Sequence, residues 1–490
     1  MNFASWTFVL LFLPVAAIGF HLLRGERANA ARRNFLIAAS IFFYAWSGLS
    51  NLAVLTLSIA ANLSAGWLLT RATGLGQRSR RTILWAGVAV NLALLLIFKV
   101  RALALPDTDG FRAAESILIP LALSFVTFQQ IGFIAACYRR SIARFSASEY
   151  LFFVAFFPQL IMGPIVRFQD MAAQLRERRL ARVDSGDVAV GVAIFVFGLA
   201  QKVLLADQLA PHVDRVFNHA QVAPLSPGHA WFGIVAFQLQ LYFDFAGYAD
   251  MAIGLGRMFG IRLPINFDRP LFAADRFDLW RRWHITYVVF MRTHVFMPLV
   301  RHWRFPAAIA LAVTGLLSGL WHGLGWTFVI WGLIQTVLLL LVHARRKLGL
   351  WRRPAGGLAR LRAIALTYTV TCLVGAMFRS PTVDAARNIY GGLAGLSAGS
   401  DAFPLVAPSA LALLAAAAIA GWLLPNSAQF FRRHWNALDL RPEGAPSPRH
   451  PLERIGGFGF GRRWACAAAL ALTACLVLLD TSKRFIYIQF

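Results

Sequence analysis

The chain is 490 residues long, 58% hydrophobic and 14% charged, where a soluble globular domain carries about 25% charged residues. Its mean hydropathy is +0.60, and 48 Lys and Arg against 22 Asp and Glu leave a formal net charge of +26. The composition calls for lipid as solvent. A nucleic-acid role is set aside because the basic residues fall in short connections between apolar runs.

Taken in chain order, apolar runs predict spans at 3–23, 34–48, 51–70, 82–100, 117–138, 188–209, 230–256, 307–322, 325–343, 363–378, 405–424 and 465–480. Most approach the roughly 20 residues that cross hydrocarbon as helix, the form that satisfies every backbone group internally. Arg24, Glu26, Arg27, Arg32 and Arg33 follow the first run rather than precede it, so that run is expected to be a retained span and not a cleaved signal. Clusters at Arg71, Arg78, Arg80 and Arg81, at Arg139, Arg140 and Arg144, and at Arg345, Arg346, Lys347, Arg352 and Arg353 mark cytoplasmic loops. That assignment places the N-terminus outside. Cys137, Cys372, Cys466 and Cys475 lie in or beside apolar runs without zinc or CxxC spacing; they are expected to be packing residues, with no metal site.

Two segments do not fit as spans. Residues 150–166, "YLFFVAFFPQLIMGPIV", have basic clusters on both sides, and Pro158 and Gly163-Pro164 supply a break. Residues 285–300 are flanked by Arg281 and Arg282 and by Arg301 and Arg304. Both are expected to be re-entrant, which implies a cavity, because irregular backbone at membrane depth survives only against protein or enclosed water.

Polar residues within the apolar regions mark that cavity. "FQLQLYFDFAGYADMAIGLGRMFG" carries Gln238, Gln240, Asp244 and Asp250; a carboxylate at bilayer depth costs about 2.5 kcal/mol or more, so it should face a cavity or a partner. Gln240, Asp244 and Gly247 share a helical face, and Gly247, Gly254 and Gly256 permit close helix approach. The next stretch spaces Arg262, Arg269, Arg276, Arg281 and Arg282 among Phe267, Phe272, Phe277, Trp280 and Trp283 and closes on His284. It suits either a cytoplasmic interface or reception of an anionic ligand. Finally, "LSGLWHGLGW" places His322 inside a run from Ala307 to Val342 free of Asp, Glu, Lys and Arg. Acyl transfer to a hydroxyl needs a base, and a neutral imidazole can take that proton. Trp321 and Trp326 are expected to shield it, with Gly319, Gly323 and Gly325 leaving room for substrate.

These blocks carry a resemblance. "LSGLWHGLGWTFVIWG", "RFDLWRRWHIT" and "YFDFAGYADMAIGLGRMFGIRLPINFDRP", supported by "FFPQLIMGPIVRFQDM", "FRSPTVDAARNIYGGLAG" and the terminal "RFIYIQF", resemble the signature blocks of membrane-bound O-acyltransferases, in the bacterial alginate O-acetylase-like branch. The resemblance implies an all-α polytopic membrane protein of about twelve spans plus two re-entrant segments around a central tunnel. It would form one domain over 1–490, with a signature core near 120–395.

The resemblance further implies that His322 and His284 are catalytic, with His284 toward the cytoplasmic face, and Asp244, Gln240, Asn266, Arg281, Arg282, Trp283 and Trp321 are candidate substrate contacts. It implies acetyl-CoA as donor substrate rather than a resident cofactor. The implied acceptor is an extracytoplasmic polysaccharide, reached through a separate periplasmic acetyltransferase, and the implied location is the bacterial inner membrane. One departure stands out: "MRTHVFMPLVRHWRF" has Thr293 and His294 where the family usually has Asp and Tyr, and no glycine pair follows. That leaves open which acceptor or docking partner this surface serves. Peptidoglycan is an alternative acceptor, and a polysaccharide transporter or proton channel using His322 and Asp244 is an alternative class. "HWNALD", His434 to Asp439, matches the H-x4-D spacing of glycerolipid acyltransferases without its surroundings, and "GLGRMFG" lacks the Lys and Ser/Thr of a P-loop.

Overall fold

The computed structural model describes residues 1–25, 27–72, 74–103, 122–350, 354, 356–396, 407–435, 437–440 and 457–479. The beginnings of the expected spans at 117–138 and 405–424, residue 480 of the last span and the terminal "RFIYIQF" lie outside the described residues. Among the described residues the regular structure is helical, apart from one isolated bridge between Pro264 and Leu438.

A π turn at Thr7–Phe12 leads into α1 (Leu13–Leu22), followed by α2 (Ala28–Ala45), α3 (Leu49–Arg71), α4 (Gln77–Leu103) and α5 (Leu123–Tyr138). Three short helices come next: α6 (Ala147–Ala155), α7 (Phe157–Leu160) and α8 (Phe168–Arg176). Then α9 (Ser185–Ala200) continues through a π turn at Gln201–Ala206 into α10 (Asp207–His219), and α11 (Pro227–Met258) follows. After α12 (Arg276–Arg282), α13 (Ile285–Met291) runs on through a π turn at Arg292–Phe296 into α14 (Met297–Arg301). The remainder comprises α15 (Ala307–His322), α16 (Trp326–Lys347), α17 (Gly357–Arg379), α18 (Val383–Leu393), α19 (Pro408–Leu423), α20 (Ser427–Phe430) and α21 (Arg462–Leu478).

Five of the described helical stretches are long and apolar enough to cross a bilayer: Leu49–Arg71, Gln77–Arg101, Ser185–His219, Trp326–Lys347 and Gly357–Arg379. Leu57, Ile97, Val337 and Leu366 on these helices are all exposed, an apolar outer surface suited to lipid and not to water. The chain is a multi-pass membrane protein.

At its centre α11, 32 residues long, is buried almost throughout. It lies against α9 through glycines on both sides. A Cβ at Gly198 would stand 2.5 Å from the Gly247 carbonyl oxygen, and one at Gly254 would stand 2.6 Å from that of Gly191. The expected role of Gly247 and Gly254 in close approach is therefore met, and Gly256 instead serves the turn, facing the Ile261 carbonyl at 2.8 Å. The same seam buries charge. Lys202, on the π turn, binds Asp207 at 2.5 Å and Asp244 at 2.6 Å, while Asp250 accepts from Gln201 at 2.8 Å and from Ser427 at 2.7 Å.

The two segments expected to be re-entrant differ. Residues 150–166 break into α6, α7 and an irregular stretch, each too short to cross a bilayer. Ser146 starts α6 with a capping box to Glu149. The flanks return to one place: Arg176 binds Glu149 at 2.7 Å and donates to the Arg144 carbonyl at 3.2 Å. Residues 285–300, by contrast, do not turn back on themselves. They form one helix continuous to Arg301, in which Pro298 is tolerated because the π turn precedes it. The residue before this helix, His284, has a left-handed backbone with φ 45° and ψ 51° and separates it from α12.

Candidate active site

The turn at His284 is held by Asn266. The Asn266 carbonyl oxygen accepts from the Ile285 N–H at 2.9 Å. Its side-chain Oδ1 accepts from the Thr286 N–H at 3.1 Å and the Thr286 hydroxyl at 3.0 Å. A left-handed non-glycine residue costs of order 1–3 kcal/mol and persists only where its surroundings fix it. Because a backbone N–H can only donate, the Asn266 atom facing Thr286 must be oxygen. That same oxygen lies 3.2 Å from His284 Nδ1, so Nδ1 carries the proton and Nε2 of the neutral ring carries the lone pair.

His284 is 1% exposed, buried among protein side chains. It shares a cavity with His322, which is 4% exposed. Tyr287 stacks on His284 at 4.9 Å and lies 6.3 Å from His322, with its hydroxyl bonded to Ser318 at 2.8 Å. His322 ends α15, and Lys99 donates to its carbonyl oxygen at 3.1 Å, placing a cation at the negative end of that helix. Trp321, Trp331 and Phe378 pack edge-on to the His322 ring at 4.5, 5.2 and 4.9 Å.

Two expectations around His322 change. Trp326 does not shield it, being 74% exposed at the start of α16; Trp331 and Phe378 do. Nor do Gly319 and Gly323 make room for substrate. A Cβ at either would strike Phe328, at 2.4 Å from its carbonyl oxygen and 2.3 Å from its ring, so they let α16 fold back along α15.

The cavity encloses about 50 Å³ and is lined by Gln238, Arg276, Trp280, Trp283, His284 and His322, with Gln335 and Thr371 among others. That is room for one or two waters, so admission of an acyl chain requires its walls to move. Trp283 lines it. Trp321 packs behind Tyr287 at 4.7 Å. Asp244 is bound to Lys202 instead, Gln240 is buried outside the lining, where Gln238 takes its place, and Arg281 is exposed. Arg282 pairs with Asp278 at 2.8 Å. Sequence reasoning did not single out Tyr287, Thr286, Lys99 or Lys202, and it named Arg276 only as one of five arginines in the basic-aromatic stretch. A helical-wheel signal existed for Arg276, which lies one turn from Trp280 and off the face of Arg281 and Arg282.

A second cavity of about 200 Å³ lies across Thr286, lined by Arg139, Arg167, Gln129, Thr293 and His294 among others. Thr293, which is exposed, and His294 line its wall. Thr286 thus borders one cavity while its bonds to Asn266 fix the histidine of the other.

The family model for membrane-bound O-acyltransferases matches residues 36–348. The chain is 33% identical over 427 residues to the peptidoglycan O-acetyltransferase of Helicobacter pylori, covering 80% of this chain and 79% of that one. It is 35% identical over 403 residues to the probable alginate O-acetylase of Pseudomonas aeruginosa, covering 80% and 74%. Similarity extends to the teichoic acid D-alanyltransferase of Bacillus subtilis, 24% identical over 383 residues, covering 74% and 93%. With two buried histidines on one cavity of a helical membrane protein, and these matches along most of its length, the chain belongs to the membrane-bound O-acyltransferase family and is an acyltransferase.

Proposed function

We propose that the chain takes an acetyl group from cytoplasmic acetyl-CoA and passes it through the inner membrane for O-acetylation of an extracytoplasmic polysaccharide, an alginate-like exopolysaccharide or the glycan of peptidoglycan. The pairing of His284 and His322 on one cavity carries this reading. In the transfer the acceptor oxygen bonds to the acetyl carbonyl carbon and the C–S bond to coenzyme A breaks. His322 takes the hydroxyl proton, which goes on to the departing thiolate. His284, its tautomer set by Asn266, contacts the thioester as it arrives. The acceptor hydroxyl belongs to the polymer or to a separate periplasmic acetyltransferase that relays the group. The basic second cavity beside Thr286 supports a cytoplasmic approach for the donor. In this reading about twelve spans and two re-entrant elements enclose a tunnel; the adjacency of Arg144 and Arg176 and the left-handed backbone at His284 support it.

His322→Ala tests it. A positioned base contributes about 10²–10⁴-fold, so polymer acetylation in cells and thioester turnover by purified protein should fall below about 1% of wild type, with expression and insertion unchanged. Retention of more than a few per cent would remove His322 from the chemistry. Absence of any thioester turnover in the wild type would favour the transporter or channel class.

A further inference from the structure

The sequence leaves open whether the basic-aromatic stretch 262–284 anchors an interface or receives an anion. The structure separates its arginines. Arg281 is exposed and Arg282 is paired with Asp278, whereas Arg276 is 5% exposed and lines the histidine cavity. Its Nη1 donates to the Thr371 hydroxyl at 2.7 Å and its Nη2 to the Gln335 amide oxygen. Both partners are neutral, and among the described residues no carboxylate pairs with this guanidinium. Its Nε–H has no hydrogen-bond partner there, and neither has the indole N–H of Trp280. Trp280 is one helical turn on and lines the same cavity.

A buried guanidinium without a counterion is costly, and so is each buried donor left unsatisfied. What would satisfy both is an acceptor carrying negative charge. We propose that Arg276 and Trp280 form an anion-binding subsite of the histidine cavity, which takes a carboxylate or phosphate group of a substrate. The proposal rests on the acyl-transfer reading only in treating the cavity as a substrate site. The group could come from the donor, whose coenzyme A carries phosphates, or from an acceptor bearing uronate carboxylates. Either way the guanidinium and the indole hold the anionic oxygen while the histidines meet the reacting atoms.

Calorimetric titration of the purified full chain tests this with two pairs of probes. Coenzyme A is compared with pantetheine, its phosphate-free core, and a glucuronate oligosaccharide is compared with its uncharged glucose counterpart. In one pair the wild type should bind the anionic member more tightly. Arg276→Gln should weaken that member by at least about tenfold, the loss of one charge-assisted hydrogen bond, and leave the uncharged member within about twofold. Arg276→Lys should restore most of the difference, and Trp280→Phe should reduce it in the same direction. The pair that responds names the source. Equal weakening of charged and uncharged members, no change in either pair, or a wild type blind to charge overturns the subsite. If Arg276→Gln does not fold, Trp280→Phe and Arg276→Lys give the same decision. Thioester turnover is measured alongside: charge-selective binding without turnover defeats the acyl-transfer reading and leaves the subsite standing.

Discussion

At His284 one side-chain amide does three things: it closes a strained turn, holds a threonine and sets an imidazole tautomer. The Asn266 oxygen that fixes Nδ1 as donor also accepts from Thr286 twice, so in the proposed reaction Nε2 is the ring nitrogen that would act. Asn266→Ala is expected to lower acetyl transfer about a hundredfold, the scale of one misplaced acid–base group. Thr286→Val, which keeps the backbone donor to Asn266 and loses only the hydroxyl, should cost markedly less. Single-turnover rates of the two variants, read beside their unfolding midpoints, check this; equal losses would mean that Asn266 acts only on the fold. His322, His284 and Asn266 were legible in the sequence because each sits in a block with a family likeness. Arg276 and Lys99 were not, since a basic residue in such a chain reads as a loop or interface group until its neighbours in space are known. The partner of Asp244 was hidden for the same reason. An intramembrane carboxylate announces that it has a partner, and Lys202 is 42 positions away in sequence.

Among the helices, apolar run length was enough to place most of the elements it could reach. A helix forms at 307–322, where a span was expected, and the expected spans at 51–70, 230–256 and 325–343 correspond to helices at 49–71, 227–258 and 326–347. Hydropathy does not say which helices touch. That is decided by small residues, and α9 and α11 show it: Gly191 and Gly198 meet Gly254 and Gly247, both pairs seven residues apart. In lipid, helix association depends on packing and polar contacts, because burial of apolar surface gives no gain there. Gly198→Leu should therefore push the two backbones apart and destabilise the bundle by about 1–3 kcal/mol or more, lowering the thermal midpoint in detergent. Gly228→Ala on α11 has open space around its new methyl and should leave the midpoint unchanged. Comparable losses at both positions would show that the seam is not what holds α9 to α11. The flanking arginines suggested that 285–300 turns back, but a continuous helix runs through it to Arg301 by way of a π turn.

For the whole molecule, the question is which ends of the helices share a side of the membrane, because the direction of transfer depends on it. Several contacts tie the basic segments together. Arg176 reaches Glu149 and the Arg144 carbonyl across the two flanks of residues 150–166. Arg346, at the end of α16, binds Asp275, the residue before α12, at 2.9 Å. The 22 residues of α16 extend about 33 Å at 1.5 Å per residue, so Trp326 and Leu348 must lie on opposite sides. Antiparallel packing, with Gly315 against Thr336 and Gly319 against Phe328, then puts Ala307 on the side of Leu348 and His322 toward the other. In a chain whose four cysteines have been replaced, single cysteines at Ala143, Glu177 and Leu348 should resist an impermeant thiol reagent added to spheroplasts. A cysteine at Trp326 should react. Positions 143 and 177 are chosen because both are exposed and neither carries the ion pair that holds the element closed. Reaction at one of them and protection at the other would mean that 150–166 crosses the membrane. Every later helix would then invert, the loop after α16 would face outward, and a thioester made in the cytoplasm would meet the His322 end of the cavity first.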